Sequence, residues 1–404
     1  MPGDDGIELL TSSQAGPLLS AAVAHAGGNL VEWSLDQVDR NPNESTTATY
    51  SVYVDWPYGR RHEVLGVSAR TRGIAGADAA AEIFADGDRQ VAVWLYPKDP
   101  DLPGLARAAY AESMAVVCND HKIFSSAVAP DDLSLTMVVY RPRRRAVLKV
   151  TDLVSGETVY VKVLREHLIG QIAERHRMLL EAGVPAAPVL AVTEDHMLFL
   201  AELGGTPLAE AIFEPDPPTT AQDLIETLDR LPQAVSSLPR RAAWTQSLPH
   251  YSEVVAQSLP QLRPRLEWLR DTIAGHLADI PLGDEPTHGD FHEGQVHVAS
   301  GRVVGLLDVD TVGPGSRVDD LACLVAHLST IQRMNATQTD RVHSLIRDWV
   351  PVFDTRVDAA ELRLRAAAVI ISLATGPFRS QEPDWQRETT LMIGSAEALV
   401  RQVV

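Results

Sequence analysis

Between Thr287 and Gln295 the chain reads Thr287-His288-Gly289-Asp290-Phe291-His292-Glu293-Gly294-Gln295, and a β-rich stretch beyond it ends in Leu307-Asp308-Val309-Asp310. Asp290 and Asp308 carry carboxylates and Gln295 an amide oxygen, the donors that a hard cation such as Mg²⁺ prefers. Gln295 to Asp308 has the pattern of a hairpin, which folds its two ends back together. Transfer of a phosphoryl group to an alcohol needs one carboxylate to orient the hydroxyl and accept its proton. It also needs the polyphosphate charge neutralised. Asp290 is the candidate for the first task, Gln295 and Asp308 for the second. A lone His-Gly-Asp is common; the joint spacing of Asp290, Gln295, Asp308 and Asp320 around the hairpin carries the reading. Asp310 has two readings, facing solvent or touching the metal.

This segment resembles the aminoglycoside phosphotransferase and choline kinase-like superfamily. The signature of that superfamily is His-Gly-Asp, four residues, then Asn, followed by a hairpin that ends in Asp. Gly315 and Asp319-Asp320-Leu321-Ala322 match its downstream Gly and Asp-Leu-Ala. Gln295 is the departure: it presents the same amide oxygen one methylene further out, and maltokinase-like branches also carry Gln there. The resemblance covers about residues 130–404. It implies an ATP- and Mg²⁺-dependent kinase acting on a hydroxyl of a small molecule, a sugar or amino sugar before an aminoglycoside or macrolide. A non-catalytic nucleotide- or metabolite-binding regulator is the reading from another class, and the presence of both Asp290 and Asp308 speaks against it.

The nucleotide half lies upstream. Lys162 interrupts the β-rich run Val159-Tyr160-Val161-Lys162-Val163-Leu164. Alone it fits an exposed strand face; beside the segment above, it reads as a phosphate ligand, because a buried ammonium needs a partner. The resemblance implies a helix acid paired with it, Glu174 before Glu181. It also implies adenine contacts at the join between lobes, for which Glu202 and Leu203 are the candidates. No Gly-rich turn joins the first two strands of this region. Arg141, Arg143, Arg144 and Arg145 stand there, and Arg144 is the candidate phosphate contact, with a solvated basic turn as the alternative. His292 and, near the C-terminus, Gln381, Glu382, Asp384 and Trp385 are candidate substrate contacts; for 376–385 an interhelical loop pinned by its aromatics is the equal alternative.

The elements that must position these groups follow from periodicity. Residues 1–128 read as a mixed unit with a helix at Leu18–Ala26, a hairpin from Thr46–Asp55 and His62–Ala69, a helix at Asp78–Ala85 and a strand at Gln90–Tyr96. Residues 129–203 give strands at Leu133–Tyr140, Ala146–Thr151 and Thr158–Leu164, a helix at Leu168–Ala182, and strands at Val189–Val192 and Met197–Ala201. Helices then dominate 204–404, with loops expected at Glu214–Pro218 and Leu248–Pro249. The expected class is α+β. By resemblance it is a bilobal protein-kinase-like fold, with a β-rich nucleotide-binding lobe at 129–203 and a helical catalytic lobe at 204–404. A cap domain at 1–128 matches maltokinase-like and glucosamine kinase-like enzymes in its placement.

Composition bounds the rest. The 404 residues include 45% hydrophobic and 22% charged side chains, ordinary for a folded chain. No stretch approaches the roughly 18 apolar residues of a membrane helix. Asp4 and Asp5 stand where a secretory signal would carry Lys or Arg, so a cytoplasmic location is expected. Cys118 and Cys323, the two cysteines, are expected as buried thiols. A net charge of −19 disfavours a nucleic acid partner and suits either solubility or a cationic substrate, and with no long apolar stretch no membrane partner is expected.

Overall fold

The computed structural model describes residues 5–70, 81–86 and 89–404. Contacts divide the chain into two compact units. The first comprises the described residues of Met1–Gly170, with Val189–Glu202 and Phe378–Pro383; the second comprises Gln171–Pro188, Leu203–Pro377 and Asp384–Val404.

The first unit holds two antiparallel five-stranded sheets. Strands β1 (Asn29–Asn41), β2 (Ser45–Trp56), β3 (Gly59–Arg70), β4 (Glu82–Asp86) and β5 (Arg89–Leu95) pair in the order β1-β2-β3-β5-β4. Period-two alternation makes this sheet: Ala48, Tyr50, Val52 and Val54 of β2 are buried, and the helices Ile7–Thr11 and Ala15–His25 supply Leu10, Leu19 and Val23 to the same core. Tyr50 donates its hydroxyl to the Leu10 carbonyl at 2.5 Å. The expected helix at Asp78–Ala85 is corrected here. Glu82–Asp86 is a strand, since pairing with β5 overrides the helical propensity of its Ala and Glu, and Asp78 to Ala80 lie outside the described residues.

Strands β6 (Leu133–Arg141), β7 (Arg145–Asp152), β8 (Thr158–Leu164), β9 (Val189–Val192) and β10 (Met197–Ala201) form the second sheet in the order β6-β7-β8-β10-β9, as the strand pattern predicts. Ala146, Leu148 and Val150 of β7 and Val159, Val161 and Val163 of β8 line its core, together with Leu102, Met114, Val117 and Phe124 from the preceding residues. The expected helix after β8 is present as Glu166–Glu181.

The second unit is mainly helical. The helix Ala359–Leu373 lies at its centre, and its run from Ala366 to Ile371 is almost wholly buried, as an all-apolar helix must be. Leu248–Pro249, expected as a loop, instead opens the helix Leu248–Ser258. Proline is tolerated in a first turn, where its missing N–H would have had no partner. The hairpin expected over Gln295–Asp308 is formed by Val296–Ala299 and Arg302–Leu306. Among the described residues, no helix is long and apolar enough to cross a membrane.

Candidate active site

The second unit builds its site around the loop His288–Asp290. Gly289 has φ +82°, and an added Cβ would lie 2.8 Å from the Thr311 carbonyl oxygen, so both backbone sign and space demand glycine. Asp320, 1% exposed on the helix Arg317–Leu328, accepts the backbone N–H groups of His288 at 2.9 Å and Gly289 at 2.8 Å. Arg317, three residues earlier on that helix, places Nη1 3.2 Å from the same carboxylate. Arg317 also donates to the Leu228 carbonyl at 3.0 Å. A buried carboxylate thus satisfies two loop donors that would otherwise be orphaned, which fixes the backbone on which Asp290 stands.

The loop is tied to the hairpin by its histidine. His288 is 0% exposed and donates from Nε2 to the Leu307 carbonyl at 2.9 Å. Leu307 N–H in turn donates to the Gln295 carbonyl at 2.8 Å. These two bonds place the backbone of Leu307, the residue before Asp308, against both the Asp290 loop and the Gln295 backbone. Asp308 itself has the left-handed conformation, φ 47° and ψ 46°, uncommon for a non-glycine residue. An amide oxygen and a carboxylate together fit Mg²⁺, whose preferred ligands are oxygens. Asp310 lies in the field of Arg175, whose Nε donates to the Val312 carbonyl at 2.9 Å.

Three residues flanking this loop escaped the sequence reading. Cys323 Sγ lies 3.9 Å from Asp290 Oδ1. Burial, and then the carboxylates of Asp290, Asp320 and Glu293, push its thiol well above the usual range. His327 stacks on His292, with ring centroids 3.9 Å apart and planes 7° from parallel. Glu293 lies 3.8 Å from each of the two imidazoles. Burial opposes ionisation of Glu293, but the hydrogen bond with His327 and the interactions with the two imidazoles outweigh it and hold the carboxyl below its usual range. His292 is held down to about 4 by burial and then by His327. Helical spacing was the available signal: Asp320, Cys323 and His327 recur at three and four residues on one face of the helix Arg317–Leu328.

Both ring nitrogens of His292 are engaged within the chain, Nδ1 by the Gly294 N–H at 3.1 Å and Nε2 by the Gln295 amide at 3.1 Å. Its expected role as a substrate contact therefore gives way to one inside the loop.

The remaining candidates fall as follows. Lys162 is 8% exposed, which removes the exposed-face reading of the β8 pattern. Glu174 is exposed and held by Arg177, which also pairs with Glu181, so both acids considered as partners of Lys162 are engaged on their own helix face. Arg144 pairs with Asp39 of β1 at 2.6 Å rather than standing free for a phosphate, and neighbouring Arg143 is buried against the Trp94 ring. Glu202 Oε1 lies 3.7 Å from Lys149 Nζ, and the chain passes from the first unit to the second between Glu202 and Leu203. The 376–385 segment is divided: Gln381 and Glu382 pack with the first unit, Asp384 and Trp385 with the second. Gln381 turns its amide onto the Phe378 carbonyl at 2.6 Å, and Trp385 opens the helix Trp385–Val400.

A five-stranded lobe interrupted by one helix, then a helical lobe carrying this loop and hairpin, defines the kinase-like fold of the α+β class. Among solved structures, a thermostable mutant of the aminoglycoside phosphotransferase APH(4)-Ia matches with a TM-score of 0.50 at 13% identity, covering 67% of this chain and 94% of that one. Plasmodium vivax ethanolamine kinase matches at 0.46 and 12% identity, covering 72% and 90%. Choline kinase from Cryptosporidium parvum matches at 0.47 and 9% identity, covering 72% and 95%. No curated protein sequence matches significantly. The model of the phosphotransferase enzyme family matches residues 134–360. The chain belongs to that family and is a small-molecule phosphotransferase.

Proposed function

We propose that this phosphotransferase moves the γ-phosphoryl group of ATP to a hydroxyl of a sugar or amino sugar. The observation that carries the reading is the loop geometry. Asp290 follows a positive-φ glycine pinned by Asp320, and the Gln295–Leu307 and His288–Leu307 bonds hold the backbone of Gln295 and of Leu307, next to Asp308, against the same loop, which supports the reading.

Asp290 orients the acceptor hydroxyl and takes its proton as the oxygen attacks phosphorus. Gln295 and Asp308 would hold Mg²⁺, which when bound neutralises charge on the polyphosphate. Lys162 contacts the α- and β-phosphates, and the backbone at Glu202–Leu203 receives the adenine. Gln381, Glu382, Asp384 and Trp385 are the proposed acceptor contacts. A cap at 1–128, a nucleotide-binding lobe at 129–203 and a catalytic lobe at 204–404, working in the cytoplasm, complete the proposal. Gln295 in place of Asn supports the sugar acceptor.

The net charge of −19 favours one second reading, a polycationic aminoglycoside acceptor. ADP release in the presence of magnesium, ATP and a mixed sugar panel tests the first, and drug susceptibility of cells expressing the chain tests the second. Asp290→Asn should lower turnover roughly a hundred- to ten-thousand-fold while nucleotide binding persists. Full turnover in that variant removes Asp290 from the chemistry.

A further inference from the structure

His292, Glu293 and His327 bring three potential ligand atoms within 4.8 Å of one another, which on distance alone suggests a second metal site. Ring geometry excludes it. The two imidazoles stack 3.9 Å apart at 7°, so a cation in the plane of one ring would lie well off the plane of the other. A metal needs each nitrogen lone pair, which lies in its ring plane, to point at it. His292 Nδ1 is in any case already used, accepting the Gly294 N–H at 3.1 Å.

That last bond decides the tautomer. A nitrogen that accepts an N–H carries no proton, so the neutral ring keeps its proton on Nε2. Nε2 then needs an acceptor, yet the atom placed 3.1 Å away is the amide nitrogen of Gln295, itself a donor. Two N–H donors cannot satisfy each other. The two ends of an amide are told apart only by their partners, so Gln295 turns its oxygen, not its nitrogen, toward the ring. The ring itself cannot rotate away: Gly294 holds one edge and His327 covers one face.

We propose that His292 is a positioning residue for the metal ligand Gln295: its Nε2–H donates to Gln295 Oε1 and thereby selects the end of the amide offered to Mg²⁺. This rests on the reading of Gln295 given above. A carbonyl oxygen has two lone pairs, so one accepts from His292 while the other remains for the cation. Glutamine has one more rotatable bond than asparagine and hence more ways to present the wrong end. An outer donor that fixes the ligand removes them, as partners of metal ligands do elsewhere.

The test is a titration of Mn²⁺, followed by electron paramagnetic resonance, on the full chain saturated with a non-hydrolysable ATP analogue. His292→Phe keeps a flat ring and removes the donor; it should weaken Mn²⁺ roughly tenfold or more. His292→Gln places an amide nitrogen near the position of Nε2 and should restore most of the affinity. In a Gln295→Asn background the shorter side chain does not reach the ring, so His292→Phe should have little further effect, a cycle that remains informative if the single Phe variant folds poorly. The acceptor KM should stay unchanged throughout. Mn²⁺ affinity within twofold of wild type in His292→Phe overturns the proposal. So do equal losses in the Phe and Gln variants, or a rise confined to the acceptor KM. Failure of the wild-type complex to bind Mn²⁺ overturns the reading of Gln295 and Asp308 along with it.

Discussion

Replacing Gly289 by alanine separates two costs that the site imposes on one residue. At φ +82° an L-residue carries a backbone penalty of about 1–2 kcal/mol. Gly301, in the hairpin turn, has φ +74° and nothing within 4 Å of an added Cβ, so Gly301→Ala bears the backbone penalty alone. At Gly289 the new methyl would meet the Thr311 carbonyl oxygen at 2.8 Å, a backbone atom that cannot swing aside. Forcing a methyl into a filled space adds about 1–3 kcal/mol. Gly289→Ala should therefore be destabilised by roughly 2–5 kcal/mol and Gly301→Ala by about 1–2 kcal/mol, both read from urea unfolding. The excess strain is relieved by moving the loop that carries Asp290. A displacement on the order of 1 Å at a reacting group costs about a hundredfold in rate, so turnover should collapse in Gly289→Ala and survive in Gly301→Ala. Equal stability of the two variants together with undiminished turnover in Gly289→Ala would refute the claim that close approach at this loop positions the catalytic carboxylate.

Other perturbations test neighbouring parts of the same construction. Asp320→Ala leaves two loop N–H groups without their acceptor and takes from the 3%-exposed Arg317 its buried carboxylate partner. The loss should be about 3–5 kcal/mol in unfolding free energy, with activity abolished before global unfolding. Near-native stability would show that water replaces the carboxylate. Burial pushes the Cys118 thiol up to about 12 and raises that of Cys323 well above the usual thiol range. Iodoacetamide at pH 8.5 should therefore label neither until denaturant is added. With folded-state values raised, the contribution of these thiols to stability is whole below pH 9 and is lost as pH climbs towards 12. Rapid labelling of the native chain at pH 8.5 would contradict their burial.

Periodicity and turn residues were enough to read the sheet lobe, the helix after its third strand and the long C-terminal helices, because each of those elements follows its own apolar repeat. Two segments misled for local reasons. Glu82–Asp86 has helix-forming residues but is claimed as an edge strand by β5, and Leu248–Pro249 looks like a break although proline fits a helix's first turn. Among the proposed site residues, Asp290, Gln295 and Asp308 stand out in the sequence because their spacing straddles a hairpin, and that hairpin is present. The partners of Glu174 and Arg144 were not, since Arg177 and Asp39 compete for them through contacts that no spacing rule for phosphate binding anticipates.

The sequence by itself determined the order of the elements and which oxygen donors they carry around the His288–Asp290 loop. Only the tertiary structure decided how those donors are held: Asp320 under the Gly289 turn, Cys323 against Asp290, and His292 between Gly294, His327 and Gln295. The reason is physical. A repeat of apolar residues commits a segment to a helix or strand locally, whereas the partner of a buried polar group is set by whichever distant acceptor or donor the folded chain brings within about 3 Å.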